Sequence, residues 1–414
     1  MSIKQSNFAG GAINATFIVQ QGAADAHERQ FTPAQLGQAA EVGNTLASFI
    51  KAAHSSLHMA IYDFRLDGDA AAAVIGALND AGSNGLDVRV AFFEARNQPT
   101  TESFALLGSD PAVVNDGLGG ATFHPSVKTR GIRENPTEGV LVPPVVGEPI
   151  TAPHNLMHNK YIVRDGMTAN AALLMGSANF TTDAWSVQDN NILIFEKCQQ
   201  LSAFYENDFS EMWQAGVISN SGNFDTAAVN IGDTPVQVMF APGRGRQIGT
   251  EIAARIDGAR QRLIVASMVI SSGPIMGAII DRMHRVDKFA GIFDGPEMRM
   301  VMREWGKSRA NREGPGAAAR RGAASTAKLQ QFQEIAEFLH FKKSLSFNER
   351  GVHNFMHNKF AVVDDTVITG SFNFSTNAQN NAENVVIVES QELAAAYTDY
   401  AETLIEKYPD TGAP

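Results

Sequence analysis

The chain has 414 residues, of which 44% are hydrophobic and 19% are charged, a composition typical of soluble globular proteins rather than disordered ones. The length exceeds what one hydrophobic core usually holds, so two domains are expected. The 33 basic and 44 acidic residues leave a formal charge of −11, which disfavours attraction of nucleic acid to the whole surface. A single cysteine excludes an intrachain disulfide and any cysteine-built metal site.

No run of about 18 apolar residues offers a membrane span. The N-terminal stretch has Lys4 but no continuous apolar segment after it, so no secretory signal is expected. These observations predict a cytoplasmic protein without a membrane span.

The first half begins with a well-marked helix. Thr32 can cap it, Pro33 suits the first helical position, and Gln35 sits where a capping-box partner is expected. A strand at 57–64, a helix at 69–82 and a second strand at 87–94 follow. This order of strand, helix and strand predicts that the two strands pair in parallel.

The second half repeats this order, with a helix near 248–260, a strand at 262–270 and a helix near 274–286. The predicted fold is therefore α/β, with two similar domains related by a pseudo-twofold axis. Each domain is expected to hold a mixed, mostly parallel sheet flanked by helices. The first domain is predicted at 1–225 with an insertion at 97–153, and the second at 226–414 with an insertion at 295–350.

Two nearly identical segments occupy corresponding places in the two halves. Residues 154–165 read HNLMHNKYIVRD and residues 353–364 read HNFMHNKFAVVD, with eight of the twelve positions identical. A second echo follows each copy, GSANFTTDA at 176–184 and GSFNFSTNA at 370–378. The core residues of the repeat are His158, Lys160 and Asp165 in the first copy and His357, Lys359 and Asp364 in the second. A repeat of this kind predicts duplicated domains.

The shared residues favour phosphate chemistry over metal binding. If each motif enters a strand, the period of two places its His and Lys on one face of the sheet. Protonated lysine has no lone pair for a metal, and two histidines without a neighbouring carboxylate make a poor ligand set, so neither metal nor cofactor is expected. Lysine supplies positive charge to a phosphate, while imidazole acts as a nucleophile or a proton donor.

These motifs resemble those of the phospholipase D superfamily, whose signature is His-x-Lys-x4-Asp with a downstream Gly-Ser-x-Asn. The resemblance is specific around 154–197 and 353–390. It implies two phospholipase D-like α/β sandwich domains with one active site at their junction, so that a monomer suffices for a complete site. It also implies a metal-independent reaction, in which one histidine forms a phosphohistidine. The other histidine protonates the leaving oxygen and then activates water or an alcohol.

The resemblance implies a role for each matching residue. His158 is expected to be the nucleophile, by analogy with members whose first copy attacks, and His357 the acid and base. Asp165 and Asp364 are expected to be structural or to act through their neighbours. The residues expected to hold the phosphate oxygens are Lys160, Lys359, Asn179, Asn373, Ser177 and Ser371.

Relatives often carry a further carboxylate that orients a histidine and fixes its tautomer. Counting 13 residues from the glycines at 176 and 370 gives Asp189 and Glu383. On this count Glu383 supports His357, while Asp189, one methylene shorter, gives His158 less support.

Three functions remain open. Phospholipase D-type hydrolysis of a phospholipid headgroup ester, or transfer to an alcohol, is favoured slightly by the acidic charge. The apolar VLVPPVV at 140–146 would then make peripheral contact with a membrane. A nuclease acting on DNA or RNA is favoured by seven Lys or Arg residues within 299–321, and GSFNFSTNAQNNAENVVI resembles the nuclease-type branch of the superfamily. A non-catalytic binding module fits least, because both His, both Lys and both Asn are retained.

Overall fold

The structure, a computed structural model, describes residues 3–24, 30–94, 118, 121–133, 155–219, 221–223, 228–310, 317–345 and 352–414. Two eight-stranded sheets dominate the fold, one from each half of the chain. The first half contains β1 (Ile3–Phe8), β2 (Ile13–Ile18), α1 (Pro33–Lys51), β3 (Ser56–Ile61), β4 (Phe64–Arg65), α2 (Gly68–Ser83), β5 (Asp87–Phe93), β6 (Val127–Ile132), β7 (Lys160–Arg164), β8 (Ala172–Gly176), β9 (Phe180–Thr181), α3 (Thr182–Ser186), β10 (Asn190–Phe195) and α4 (Gln199–Ala215). The second half contains β11 (Val229–Ile231), β12 (Thr234–Ala241), α5 (Gly245–Asp257), β13 (Arg262–Ser267), α6 (Gly273–Met283), β14 (Lys288–Asp294), α7 (Gly295–Ala310), α8 (Ala317–Ala336), β15 (His340–Lys342), β16 (Lys359–Val363), β17 (Thr366–Gly370), β18 (Glu383–Glu389) and α9 (Gln391–Lys407).

The two sheets have the same strand order. The first runs β1-β2-β10-β8-β7-β3-β5-β6 and the second β11-β12-β18-β17-β16-β13-β14-β15. The predicted α/β class and the duplication are confirmed. The helix start at Thr32 is also confirmed, because its hydroxyl accepts from the backbone N–H of Gln35 at 3.3 Å and the Gln35 side chain accepts from the backbone of Thr32 at 2.8 Å.

The prediction of mostly parallel sheets is wrong. Parallel pairing occurs between β3 and β5 and between β5 and β6, and again at β13, β14 and β15, whereas the other pairs of both large sheets are antiparallel. The reason lies in the connections, since antiparallel strands can be joined by a tight turn and parallel strands need a crossover. After β16 the chain turns within two residues, with Asp364 in the left-handed region at φ 51°, and returns directly as β17.

The segments predicted as insertions contribute to the sheets as well. The segment 97–153 supplies β6, and 295–350 supplies β15 together with α7 and α8. The two strands, VKTRGI and HFK, carry too few apolar residues to be recognised from pattern, and pairing with β5 and β14 places them at the sheet edges. The VLVPPVV stretch and the boundary at 225 and 226 lie outside the described residues.

Apolar side chains form a central core shared by both halves and one further core outside each sheet. The central core joins the inner faces of both sheets with α4 and α9. The outer core of the first sheet packs against α1 and α2, and that of the second against α5, α6 and α8. Among the described helices, none is both long and apolar enough to cross a membrane.

Candidate active site

The two His-Asn-Lys motifs meet across the junction of the halves. Each histidine lies two residues before a fully buried strand, β7 or β16, in the middle of its sheet. The backbone N–H of His158 donates to the carbonyl of Ala382 at 2.9 Å, and that of His357 donates to the carbonyl of Asp189 at 3.0 Å. Each motif is therefore hydrogen-bonded to the other half, and residues 199 apart in the chain (357 − 158) enter one site.

Each imidazole ring is held through Nδ1 by a side chain of the opposite half. Nδ1 of His158 lies 2.8 and 2.9 Å from the two carboxylate oxygens of Glu383. Nδ1 of His357 lies 3.0 Å from Oδ1 of Asn190. The Asn190 amide is oriented by two further bonds, because its Nδ2 donates to the Ala184 carbonyl at 3.0 Å and its Oδ1 accepts from the Ser177 hydroxyl at 2.8 Å. Nδ1 of His357 therefore carries a proton.

These contacts correct the assignment of the orienting carboxylates. Glu383 supports His158 rather than His357, and Asp189 touches neither ring but pairs with Lys342. Counting from the glycines failed because the first half is one residue longer between the two strands. Gly176 pairs with Ile192, 16 residues on, whereas Gly370 pairs with Val385, 15 residues on.

The two lysines lie beneath the histidines and are almost completely buried. Nζ of Lys160 donates to the carbonyl of His158 at 2.6 Å, and Nζ of Lys359 donates to that of His357 at 2.5 Å. The ammonium of Lys160 also lies 5.1 Å from the ring centre of Tyr62, a cation-π contact. Burial lowers the pKa of Lys160 to about 7 and that of Lys359 well below its ordinary value.

The charges of one motif act on the histidine of the other. Burial lowers the pKa of His158 well below its ordinary value, and Lys160 and Lys359 lower it further. Burial, Lys359 and Lys160 do the same to His357. Burial also raises the pKa of Glu383 to about 8. Without a ligand the site therefore disfavours every charged form, and a bound phosphate anion would restore the charges of the cationic groups.

The Gly-Ser-x-Asn segments shape the site from both sides. A side chain at Gly176 or Gly370 would place Cβ 2.2 or 2.1 Å from a carbonyl oxygen of the neighbouring strand, so glycine is required by the sheet. The hydroxyl of Ser177 donates to Asn190, and that of Ser371 makes a hydrogen bond to Glu383. Each serine has one O–H, so the predicted donation to phosphate is replaced by support of the groups that orient the histidines.

Asn179 and Asn373 occupy matching, half-buried positions. The Oδ1 atom of each is buried and has no hydrogen-bond partner among the described residues. A buried carboxamide without partners is costly, so a ligand that engages these amides would relieve that cost. The geometry is compatible with the phosphate-binding role predicted for them.

The aspartates of the motif lie at the far end of the motif strands from the histidines. Asp165 accepts hydrogen bonds from the backbone N–H groups of residues 54–56 and from the Ser55 hydroxyl. Asp364 accepts from the backbone N–H groups of residues 260–262. Burial raises their pKa, but these hydrogen bonds outweigh it and lower the pKa of both. Both side chains hold the loop that leads into the neighbouring strand.

The sequence reasoning missed Asn190 and two amides that join the halves. Nδ2 of Asn384 donates to Asn159 at 2.8 Å, and Nδ2 of Asn191 donates to Asn358 at 2.9 Å. The identical Asn in both copies of His-Asn-Lys was a signal for this contact. Aligning NNILIF with ENVVIV as paired strands would have identified Asn190.

Comparison with known proteins agrees with this geometry. The family described as "Cardiolipin synthase, PLD-like domain" matches residues 46–213 and 252–405, which together exceed half of the chain. The chain belongs to the phospholipase D superfamily.

Relatives are similar to this phospholipase D-like chain over short segments. The "Phospholipase D" of Rickettsia conorii is 43% identical over 70 residues, which are 16% of this chain and 34% of that protein. The "Mitochondrial cardiolipin hydrolase" of Canis lupus familiaris is 46% identical over 59 residues, 14% of this chain and 23% of that protein. The matched segments thus span about a third or less of these relatives.

One solved structure resembles the whole chain. The phosphatidylserine synthase of Haemophilus influenzae Rd KW20 matches with a TM-score of 0.56 at 14% identity, covering 95% of this chain and 89% of that one. At this identity the likeness concerns the fold, in which two halves form one unit.

Proposed function

We propose that the protein is a phosphodiesterase that works through a phosphohistidine, with His158 as nucleophile and His357 as general acid and then general base. One observation carries the proposal. Two buried imidazoles from the two halves share one site, and each ring is held through Nδ1 by a side chain of the opposite half. Nε2 of each ring is then the atom left for chemistry.

The reaction proceeds by two displacements at phosphorus. Nε2 of His158 attacks the phosphorus atom while the bond from phosphorus to the leaving alcohol oxygen breaks, and His357 gives its Nε2 proton to that oxygen. Water then attacks the phosphohistidine, His357 takes the proton of the water, and the P–N bond breaks to release the phosphate product. An alcohol in place of water gives transfer to a new ester. The four groups proposed to bind the nonbridging oxygens are Lys160, Lys359, Asn179 and Asn373.

The assignment of His158 as nucleophile rests on the different partners of the two rings. When Nε2 gains a phosphoryl group the imidazole becomes positively charged. The carboxylate of Glu383 stabilises that charge, whereas the amide oxygen of Asn190 is neutral. His357 is protonated when an anionic phosphodiester lies beside it, because the substrate offsets the lysines that lower its pKa.

The charges around the site favour a phospholipid headgroup ester over a nucleic acid. Besides the two lysines, the charged groups that act on Lys160 are Glu383 and Asp63, and those that act on Lys359 are Glu383 and Asp294. These carboxylates offset the positive charge that a polyanionic backbone would need along its path. One phosphodiester between the two lysines suits this balance. The family and the relatives whose names refer to phospholipase D and cardiolipin also support a lipid substrate.

A nuclease is the second candidate, and one observation favours it. The helix α7 starts at the residue after Asp294, whose carboxylate accepts from the backbone of Met356 beside His357. Arg299 and Arg303 are exposed on this helix and would attract a nucleic acid.

The test compares the two substrate classes under identical conditions. Wild-type protein, His357→Ala and His284→Ala are assayed with chelator on vesicles of phosphatidylcholine and phosphatidylglycerol, on single-stranded and duplex DNA, and on RNA. His284 is exposed on the outer side of the second half and serves as the matched control. Release of headgroup by wild type and His284→Ala, lost in His357→Ala, supports the lipid proposal. Strand cleavage with the same pattern would replace it by the nuclease.

A further inference from the structure

A buried ion pair lies directly behind His357. Nζ of Lys342 is 2.7 Å from Oδ2 of Asp189, and neither side chain is exposed. Lys342 ends the edge strand β15 of the second half, while Asp189 precedes β10 of the first half. Lys342 also donates to the carbonyl of Val187 at 3.1 Å and to that of Phe355 at 3.4 Å. One ammonium thus holds together the segment before β10 and the segment that leads into the second motif.

The carboxylate of the pair is fixed on its other side too. Oδ1 of Asp189 accepts from the backbone N–H of Gln20 at 2.8 Å and from the hydroxyl of Tyr408 at 3.2 Å. Every oxygen of this buried carboxylate is therefore hydrogen-bonded, as a buried charge requires. The side chain of Asp189 consequently has one position, which also restricts its backbone.

The backbone of Asp189 binds the second motif at two points. Its carbonyl accepts from the N–H of His357 at 3.0 Å, and its N–H donates to the carbonyl of Phe355 at 3.1 Å. The next residue is Asn190, whose side chain holds the His357 ring. A shift of Asp189 would therefore displace both the backbone contact and the ring contact of His357.

The first motif has no ion pair at this place. The parallel bridges Met157 to Ala382 and Asp189 to Met356 occupy matching positions, so Ala382 is the counterpart of Asp189. His158 receives a carboxylate in direct contact with its ring. His357 receives a neutral amide at its ring and the charged pair one residue behind, so its position is fixed by charge while its ring keeps a neutral partner.

We infer that Lys342 and Asp189 form a positioning ion pair that holds His357 in line with the leaving oxygen. This inference rests on the proposed role of His357 as general acid. The pair touches neither substrate nor the reacting atoms, and it acts through Asn190 and through the backbone of His357. Loss of the pair should therefore slow the step in which His357 donates a proton.

Leaving-group dependence separates this role from a general structural one. Two phosphodiesters with the same phosphoryl portion are compared, one losing p-nitrophenolate, which leaves without protonation, and one losing a simple alkyl alcohol, which needs an acid. Release is followed in a single turnover with enzyme in excess, so that only the first displacement is measured. The variants are Asp189→Asn, Lys342→Met and the double variant, with His357→Ala as reference and Glu196→Gln as control. Glu196 belongs to the ion pair with Arg164 away from the site.

General acid catalysis contributes roughly 10² to 10⁴-fold, and His357→Ala should lose about that much on the alkyl ester and far less on the p-nitrophenyl ester. Asp189→Asn and Lys342→Met should show the same selectivity, with a loss on the alkyl ester at least about tenfold greater than on the p-nitrophenyl ester. Glu196→Gln should show none.

Equal losses on both esters in folded variants would overturn the inference, as would no loss at all. If a single variant leaves an unpaired buried charge and does not fold, the double variant Asp189→Asn with Lys342→Met removes both charges and is read in its place. If His357→Ala itself lacks the selectivity, the proposed function fails. If His357→Ala shows it and the ion-pair variants do not, only the positioning role fails.

Discussion

Replacing Glu383 by glutamine should slow the enzyme while leaving the fold intact. The carboxylate is fully buried, with its oxygens 2.8 and 2.9 Å from Nδ1 of His158, and it also accepts from Nδ2 of Asn381 at 3.0 Å. Glutamine keeps the size but removes the negative charge that stabilises the phosphohistidine. A hydrogen bond to a charged group contributes about 1.5–3 kcal/mol, and each 1.36 kcal/mol is tenfold in rate. Glu383→Gln should therefore lower kcat/KM by about 10- to 150-fold.

Stability should move in the other direction. Burial raises the pKa of Glu383 to about 8, whereas an exposed glutamate has a pKa of about 4.3. Between these two pH values the folded state disfavours the ionised carboxyl, so this group costs stability at neutral pH. The neutral amide avoids that cost, and Glu383→Gln should unfold at the same temperature as wild type or a higher one.

The assay is steady-state turnover of a p-nitrophenyl phosphodiester, with thermal unfolding measured on the same samples. Glu389→Gln is the matched control, because Glu389 ends the same strand but is exposed and pairs with Arg255. Its kcat/KM should equal that of wild type. A folded Glu383→Gln variant within about threefold of wild type would refute the argument that Glu383 stabilises charge on His158.

Three further changes test other parts of the site. Because Lys160 must keep its proton and Glu383 must lose its own, with pKa values of about 7 and about 8, kcat/KM should be bell-shaped with its maximum between these values. Lys160→Arg should move the alkaline limb up by more than about one pH unit, and an unmoved limb would assign that limb to another group. Asp165→Ala removes four hydrogen bonds to the loop at 54–56 and should cost about 3 kcal/mol in the free energy of unfolding. Denaturant titration checks this, and lost turnover without lost stability would show a catalytic role instead. Gly370→Ala would place Cβ 2.1 Å from the carbonyl of Asn384 and should cost about 1–3 kcal/mol or more; an unfolding temperature equal to that of wild type would mean that the strands can separate freely.

Local patterns in the sequence were enough to find much of the fold. The capping residues around Thr32 and the apolar repeat after it specify α1 without help from distant contacts. The duplicated motif also showed which histidines and lysines meet, since an internal repeat implies two equivalent places. Strands β6 and β15 were not recognised because pairing at a sheet edge, rather than their own composition, makes them strands.

The support of the histidines could not be read from spacing within one half. Glu383 reaches across the junction to His158, and a single sequence does not state which half faces which ring. The choice between Asp189 and Asn190 depended on one residue of register, and such a slip turns a side chain to the opposite face. The structure puts the amide of Asn190 at His357 and the carboxylate of Asp189 behind it, paired with Lys342.

The covalent intermediate is the most direct test of the account. The His357→Ala variant is mixed with a p-nitrophenyl phosphodiester, whose leaving group needs no acid, and the reaction is quenched in alkali. Peptide mass spectrometry then locates the phosphoryl group. The account predicts a stoichiometric adduct on His158, absent from His158→Ala and short-lived in wild type. An adduct on another residue, or a burst of p-nitrophenolate without any adduct, would contradict it.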